Sequence, residues 1–246
     1  MDWRRTRHEL PSAFEGPLHV EVCRPADLAD DAEAPLLWVH DGPAYDVEGG
    51  LVDWAARRVG RGDLPPMRLV LADVRRRTQW YTASPRYLRS FSTGLTALQE
   101  RYDVASSVAV MGASLGGLTS LLVGMADERV GAVFAQSGSF FTPETDRQLF
   151  AEQTQGREID LVRFDRVADA VAGLSSWRPA PGRRFEVMLT CGREEENLPN
   201  NRLTATALRQ AGVSTRLTEV EGGHDYPAWR AALDPVLPRL LESVWG

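Results

Sequence analysis

The stretch that decides the fold is VAVMGASLGG, residues 108–117, near the middle of the chain. Its apolar start predicts a strand, its glycine-flanked serine a sharp turn, and the residues that follow a helix. Strand, turn and helix in this order form a nucleophile elbow, which exposes a reactive hydroxyl. The flanking glycines permit the tight turn, because a side chain there would collide with the adjoining strand or helix. We therefore predict Ser114 as a nucleophile, with an ordinary strand-to-helix turn as the alternative.

A serine nucleophile needs a base within reach and an acid that orients the base. In α/β-hydrolases the chain order is serine, acid, histidine. Of the four histidines in the chain, only His224 follows Ser114. It lies in the glycine-rich stretch EGGHDY, residues 221–226, after a strand-like run. We predict His224 as the base, and the alternative is a histidine on a surface loop.

The acid is expected on the turn after the strand-like residues 185–192, between the serine and the histidine. Loops at the carboxyl ends of parallel strands converge on one crevice, so an acid placed there can reach the base. This turn carries three consecutive glutamates, Glu194, Glu195 and Glu196. They cannot all point inward, and their spacing does not choose among them.

Three segments together resemble a known family: GASLGG at 112–117, GREE at 192–195 with two asparagines opening a helix after it, and GGHDYPAWR at 222–230. They are similar to the putative esterase (esterase D-like) family of α/β-hydrolases, and within it to the enterochelin (enterobactin) esterase branch. The resemblance covers roughly residues 18 to 243. It implies hydrolysis of carboxylic esters, and it implies Glu195 as the acid, three residues after the turn glycine.

The chain departs from that branch in two places. Cytoplasmic enterochelin esterases carry an additional N-terminal domain, whereas about 17 residues precede the first predicted core strand here. The other departure is Pro43 in the loop HDGPAY, residues 40–45, which is expected to supply an oxyanion donor. Proline has no N–H to donate. We predict the N–H groups of Leu115 and Ala44 as the two donors, with Gly42 as the alternative to Ala44 and a plain turn as the alternative to both.

Substrate contacts are expected where strands end. Three arginines, residues 75–77, follow the strand-like residues 69–74, and the family resemblance shifts their interpretation toward one of them binding an anionic or catecholate group. A solvated run of charge is the alternative. The predicted substrate-binding residues are Asp41, Arg77, Tyr81 and Trp229.

Composition excludes several function classes. The 246 residues include 43% hydrophobic residues and carry a net charge of −6, which is typical of a globular enzyme. All 28 basic residues are arginine, so mechanisms that need a lysine amine are excluded: the P-loop, Schiff-base chemistry and the Ser-x-x-Lys hydrolases. The acidic balance also disfavours nonspecific binding to nucleic acid, which requires a basic face.

The remaining signals predict a cytoplasmic enzyme without cofactor or metal. Cys23 and Cys191 lie in strand-like runs and are expected to be buried free thiols. No ligand pair has the spacing typical of zinc, and we find neither a signal peptide nor an apolar run of membrane length. The expected partner is a small-molecule ester, with no membrane or nucleic acid, and the oligomeric state stays open.

Strands and helices alternate along the chain, which predicts an α/β-hydrolase fold with a mostly parallel sheet and helices on both faces. We expect residues 1–246 to form one domain with a cap insertion at 142–182, which holds a predicted helix at 164–174. Four aromatic residues in this insertion or directly before it are expected to line an acyl pocket or to pack in the core. They are Phe140, Phe141, Phe150 and Trp177.

The preferred function is hydrolysis of a carboxylic ester, such as a siderophore-type or aryl ester, through a Ser-His-Glu triad and an acyl-enzyme. An acyltransferase or thioesterase with the same triad is one alternative, and a non-catalytic binding protein of the same fold is another.

Overall fold

A computed structural model of the chain describes residues 2–143, 146–148 and 158–245. At its centre lies an eight-stranded sheet. The strands are β1 (Trp3–Leu10), β2 (Leu18–Pro25), β3 (Ala34–Val39), β4 (Arg68–Asp73), β5 (Val104–Ala113), β6 (Val130–Gln136), β7 (Glu186–Gly192) and β8 (Ser214–Val220). Their order across the sheet is β1-β2-β4-β3-β5-β6-β7-β8. Strand β2 runs antiparallel to both of its neighbours, and the other neighbouring pairs are parallel. The predicted α/β-hydrolase sheet is confirmed.

Helices cover both faces of this sheet. They are α1 (Gly42–Val47), α2 (Leu51–Gly60), α3 (Arg77–Tyr81), α4 (Pro85–Gln99), α5 (Leu115–Ala126), α6 (Glu158–Ala172), α7 (Leu198–Gln210), α8 (Tyr226–Ala231) and α9 (Leu233–Trp245). Alternate residues of a strand point to opposite faces, so each face has its own core. Trp38 and Val110 pack on the side of α4, α5 and α7. Leu37 and Met111 pack on the side of α2, α8 and α9.

Two short helices and one helix break differ from the sequence-based expectation. The predicted loop at residues 40–45 contains the start of α1, and the arginine run continues into α3. Neither helix is long enough to show apolar periodicity. The sequence pattern predicts one terminal helix over residues 227–243, but the structure divides it into α8 and α9. Proline at position 235 has no N–H to donate to the carbonyl of residue 231, so a continuous helix would lack that hydrogen bond, which accounts for the break.

Part of the predicted cap, including Phe150, lies outside the described residues. Helix α6 begins before the predicted helix at 164–174 and contains it up to Ala172, and the 3₁₀ turn Gly173–Ser175 follows. Arg166 of α6 donates to the carbonyl and the hydroxyl of Thr82, at 2.6 and 2.7 Å. Phe140 is fully buried and Trp177 packs edge-on against Phe185, so both belong to the core. A cap role for this segment stays a prediction. Across the described ranges, no helix has the length and apolar character needed to cross a membrane.

A buried arginine secures the chain before β3. Arg68 is fully buried on β4, and its guanidinium donates to the main-chain carbonyls of Ala29, Asp30, Ala32 and Asp103 at 2.7–3.1 Å. The guanidinium thus supplies hydrogen-bond donors to four carbonyls outside the helices and strands, three of which also accept a main-chain N–H.

We expect Arg68→Met to lower the free energy of unfolding by about 3 kcal/mol, because four main-chain carbonyls lose a charged donor that holds them together. Urea denaturation measures this change. Arg193→Met is the control, since it removes an arginine from an exposed pair with Glu221 and is expected to change stability little. Equal losses in the two variants would contradict a structural role for Arg68.

Candidate active site

The chain turns sharply at Ser114, between the end of β5 and the start of α5. Ser114 has φ 56° and ψ −124°, a backbone conformation that side-chain-bearing residues rarely adopt and that concentrates at functional sites. Its N–H donates to the carbonyl of Gln136 at 2.9 Å. A Cβ added to Gly112 would lie 2.5 Å from the carbonyl carbon of Gly116, so the strand and the helix meet with no room for a side chain. The elbow therefore requires glycine where the sequence has it.

Next to this edge of the sheet, a histidine is hydrogen bonded to a buried carboxylate. His224 follows β8 and Glu195 follows β7, and because the two strands are parallel neighbours their following loops lie side by side. His224 Nδ1 lies 2.7 Å from Glu195 Oε2. The Glu195 side chain is 2% exposed and the His224 side chain 45%. Glu194 and Glu196 are both exposed.

The other carboxylate oxygen of Glu195 is also saturated by donors. Its Oε1 accepts from the hydroxyl of Ser137 at 2.6 Å and from the N–H of Gly192 at 2.7 Å. Burial by itself raises the pKa of Glu195, but the hydrogen bonds from His224, Ser137 and Gly192 outweigh it and hold the pKa below its ordinary value. The carboxylate is thus ionised at neutral pH and points one oxygen at the imidazole.

The serine hydroxyl has a different partner. Ser114 Oγ lies 3.3 Å from Ser139 Oγ, and among the described residues no hydrogen bond joins it to His224. The structure thus brings Glu195 and His224 together and places Ser114 on the elbow, without a closed link between serine and histidine. Such links are often long until substrate binds.

The N–H groups predicted as oxyanion donors differ in whether they already donate a hydrogen bond within the protein. Leu115 is the first residue of α5, where an N–H has no acceptor within the helix. Ala44 donates its N–H to the carbonyl of Asp41 at 3.1 Å. Gly42 begins α1 and, like Leu115, has no acceptor within its helix. The Ala44 N–H is thus engaged within the protein, and the role of either residue as the second oxyanion donor stays a prediction.

The four predicted substrate-binding residues make contacts within the protein. Arg77 forms a two-pronged ion pair with Asp41, with N···O distances of 2.8–2.9 Å. Tyr81 is fully buried, and its hydroxyl accepts the N–H of Asp41 at 3.3 Å. Trp229 is buried, and its indole N–H donates to Ser137 Oγ at 2.8 Å. The ring of His224 lies edge-on to Trp229 with centroids 5.2 Å apart.

Sequence reasoning missed the residues at the end of β6. Gln136 accepts from the Tyr45 hydroxyl at 2.8 Å and donates to the Trp229 carbonyl at 2.9 Å. Ser137, next in the chain, holds Glu195, and Ser139 lies against Ser114. The available signal was the polar run QSGS directly after an apolar strand, at the carboxyl end of a parallel sheet.

Burial keeps one histidine and the two cysteines of the chain in their neutral forms. His40 is fully buried with its Nδ1 2.8 Å from Ser120 Oγ, and burial lowers its pKa to about 3. Cys23 and Cys191 are buried free thiols, as predicted, and burial raises the pKa of each to about 12. Within the part of the chain that the structure describes, no three His, Cys, Asp or Glu side chains are grouped to hold a metal ion.

The sheet and the elbow define an α/β-hydrolase. The model of the family described as "Putative esterase" matches residues 12–240, and the chain belongs to this family. It is accordingly a carboxylic ester hydrolase. No curated protein matches the chain.

Solved structures with the same fold include a ferulic acid esterase, with a TM-score of 0.78 and 21% identity over 98% of each chain. The enterobactin esterase from Shigella flexneri, solved in the presence of enterobactin, has a TM-score of 0.77 and 21% identity. That match covers 98% of this chain and 60% of the other, so the chain spans about 60% of that enterobactin esterase. An S-formylglutathione hydrolase from Staphylococcus aureus has a TM-score of 0.69 and 11% identity, over 98% and 96% of the two chains. At these identities the likeness establishes the fold.

We expect Ser137→Ala to lower the free energy of unfolding by about 1–2 kcal/mol at neutral pH, because Glu195 loses a donor inside the protein. A carboxylate with a lowered pKa stabilises the fold above its ordinary pKa, and this contribution is lost as the pH falls through the lowered value. Ser137→Ala has a smaller stabilising contribution from Glu195, so it loses less stability as the pH falls. The difference between wild type and Ser137→Ala should therefore shrink between about pH 7 and about pH 3, measured by urea denaturation.

Ser243→Ala is the matched control, because Ser243 donates to Glu186 at 2.7 Å in an exposed position. Its effect on stability is expected to be small at every pH. A Ser137→Ala difference that does not change with pH would contradict the role given to the Ser137 hydroxyl.

Proposed function

We propose that the protein is a serine esterase that uses Ser114 as nucleophile, His224 as base and Glu195 as the acid that orients the base. The single observation that carries this proposal is the 2.7 Å hydrogen bond from the imidazole to a carboxylate that is 2% exposed. A buried ionised carboxylate fixes the ring orientation and stabilises the positive charge that the ring acquires. The strained elbow supports Ser114 as the group that the base serves.

The reaction follows from these roles. His224 accepts the Ser114 proton through Nε2 as the serine oxygen attacks the ester carbonyl carbon. The negative charge moves to the carbonyl oxygen, where the N–H groups of Leu115 and Gly42 donate to it. His224 then returns the proton to the departing alcohol, and an acyl-enzyme is left. Water, activated by the same histidine, releases the acid and restores Ser114.

Hydrolysis is favoured over acyl transfer by the exposure of the base. Because the His224 side chain is 45% exposed, water has ready access to the group that must activate it. We propose a small-molecule ester of aryl or siderophore type as the substrate, supported by the fold shared with a ferulic acid esterase and an enterobactin esterase. The cytoplasmic location and the absence of nucleic-acid and membrane partners stay predictions from the sequence.

We expect the purified protein to hydrolyse p-nitrophenyl acetate and Ser114→Ala to lose at least about 10³-fold in kcat, since alanine has no hydroxyl to attack the ester. The absorbance of the released p-nitrophenolate at about 405 nm measures the reaction rate. Adding an alcohol acceptor separates the alternatives. Free acetate as the main product supports an esterase, and acetylated alcohol as the main product supports an acyltransferase. Turnover that does not depend on Ser114 would refute the proposed chemistry.

The three consecutive glutamates offer a built-in comparison for the acid. We expect Glu195→Gln to lose about 10³-fold in kcat, because the amide no longer stabilises the protonated ring. Glu194→Gln and Glu196→Gln change exposed side chains and are expected to retain most of the activity. The same ester assay measures all three. Similar losses in the three variants would rule out Glu195 as the acid.

A further inference from the structure

A second carboxylate lies close to the elbow, and it is already paired. Asp41 precedes α1, and its side chain is 13% exposed. Arg77 of α3 donates from Nε to both oxygens of this carboxylate at 2.9 Å and from Nη2 to Oδ2 at 2.8 Å. Nη2 also lies 3.2 Å from the carbonyl of Ala113, the residue before the nucleophile. The guanidinium is thus held in place by the carboxylate and by the elbow.

The position of Asp41 makes its charge matter for catalysis. A Cβ on Gly116 would lie 2.8 Å from Asp41 Oδ2, so the carboxylate packs against the first turn of α5. That turn carries the Leu115 N–H, and Asp41 itself is followed by Gly42. A bare carboxylate here would repel the negative charge that develops on the ester oxygen, since the Asp41 side chain is only 13% exposed and solvent screens its charge little.

The backbone explains why an aspartate can stand at this position. Asp41 has φ 59° and ψ 34°, in the left-handed region, where aspartate is more readily tolerated than most other residues. In this conformation the chain turns from β3 into α1, and the N–H of Asp41 donates to the Tyr81 hydroxyl. The turn therefore places the Asp41 carboxylate beside the two proposed oxyanion donors.

We propose that Arg77 is a positioning residue that neutralises and orients the Asp41 carboxylate, so that the site around Leu115 and Gly42 can stabilise an oxyanion. This inference rests on the proposed serine mechanism and assigns Arg77 a role other than substrate binding. Burial lowers the pKa of Arg77, but the hydrogen bonds and charge of Asp41 outweigh it and leave the pKa raised. The guanidinium is therefore charged throughout the working pH range.

The test is a double-mutant cycle on a neutral ester, p-nitrophenyl acetate. We expect Arg77→Gln to lower kcat by about 10–100-fold with KM changed less than about threefold, because an unpaired carboxylate then faces the oxyanion. Asp41→Asn in the same chain removes that charge, so the double variant should recover at least about tenfold in kcat over Arg77→Gln. A residue with a merely structural role would show no such rescue.

Arg129→Gln is the matched control. Arg129 makes a comparable two-pronged pair with Asp127 at the opposite end of α5, with N···O distances of 2.6 and 2.9 Å. Its loss should lower stability in urea and leave kcat within about twofold. If Arg77→Gln does not fold, Asp41→Asn is compared with the double variant. The proposal expects the two to agree in kcat within about threefold, since a neutral residue 41 needs no counter-charge.

Several results would overturn the inference. One such result is a double variant whose kcat is no higher than that of Arg77→Gln. Another is a double variant whose kcat is about tenfold lower than that of Asp41→Asn. Either result would show that Arg77 does more than neutralise the Asp41 charge. A rise in KM with kcat intact would assign Arg77 to substrate binding instead. Hydrolysis that persists in Ser114→Ala would overturn the proposed function and this inference with it, whereas serine-dependent hydrolysis without rescue would overturn the inference alone.

Discussion

The site depends on a place where two stretches of backbone touch. The backbone of Gly116, in the first turn of α5, lies so close to Gly112, at the end of β5, that Gly112 has no room for a side chain. This contact forces Ser114 into its strained conformation and leaves its hydroxyl outside both elements. The cost of that strain is offset by the two cores on either side of the sheet, which hold strand and helix in place.

The end of β6 connects this elbow to the acid and the base. The Gln136 carbonyl accepts the Ser114 N–H, and the Gln136 side chain bonds to Tyr45 and to the backbone of Trp229. Ser137 then receives the Trp229 indole N–H and donates to Glu195. Elements far apart in the sequence are thus joined by buried hydrogen bonds, which gain strength and specificity from their low-dielectric surroundings. The loss of one of these hydrogen bonds is therefore expected to affect the geometry of the others.

Two carboxylates near one serine are handled in opposite ways. Glu195 is buried with donors on both oxygens, and one of those donors is the His224 imidazole. Asp41 is matched by a permanent cation, Arg77, which cannot give up its proton at any working pH. The first arrangement leaves a charge available to a ring that must become positive, and the second removes a charge from a place where negative charge must develop. Both serve the same reaction in the proposed mechanism.

The sequence by itself determined the fold class and the positions of most strands, because apolar periodicity and glycine punctuation are local signals that survive without tertiary context. It also singled out Ser114 and His224 by local pattern, while Glu195 came from family resemblance, since three adjacent glutamates have the same local chemistry. Only the tertiary structure decided which glutamate is buried, and that Arg77 faces Asp41. It also revealed that Ser137 supports the acid. These outcomes depend on contacts between residues distant in the chain, and on the desolvation that accompanies them, neither of which leaves a local pattern to detect.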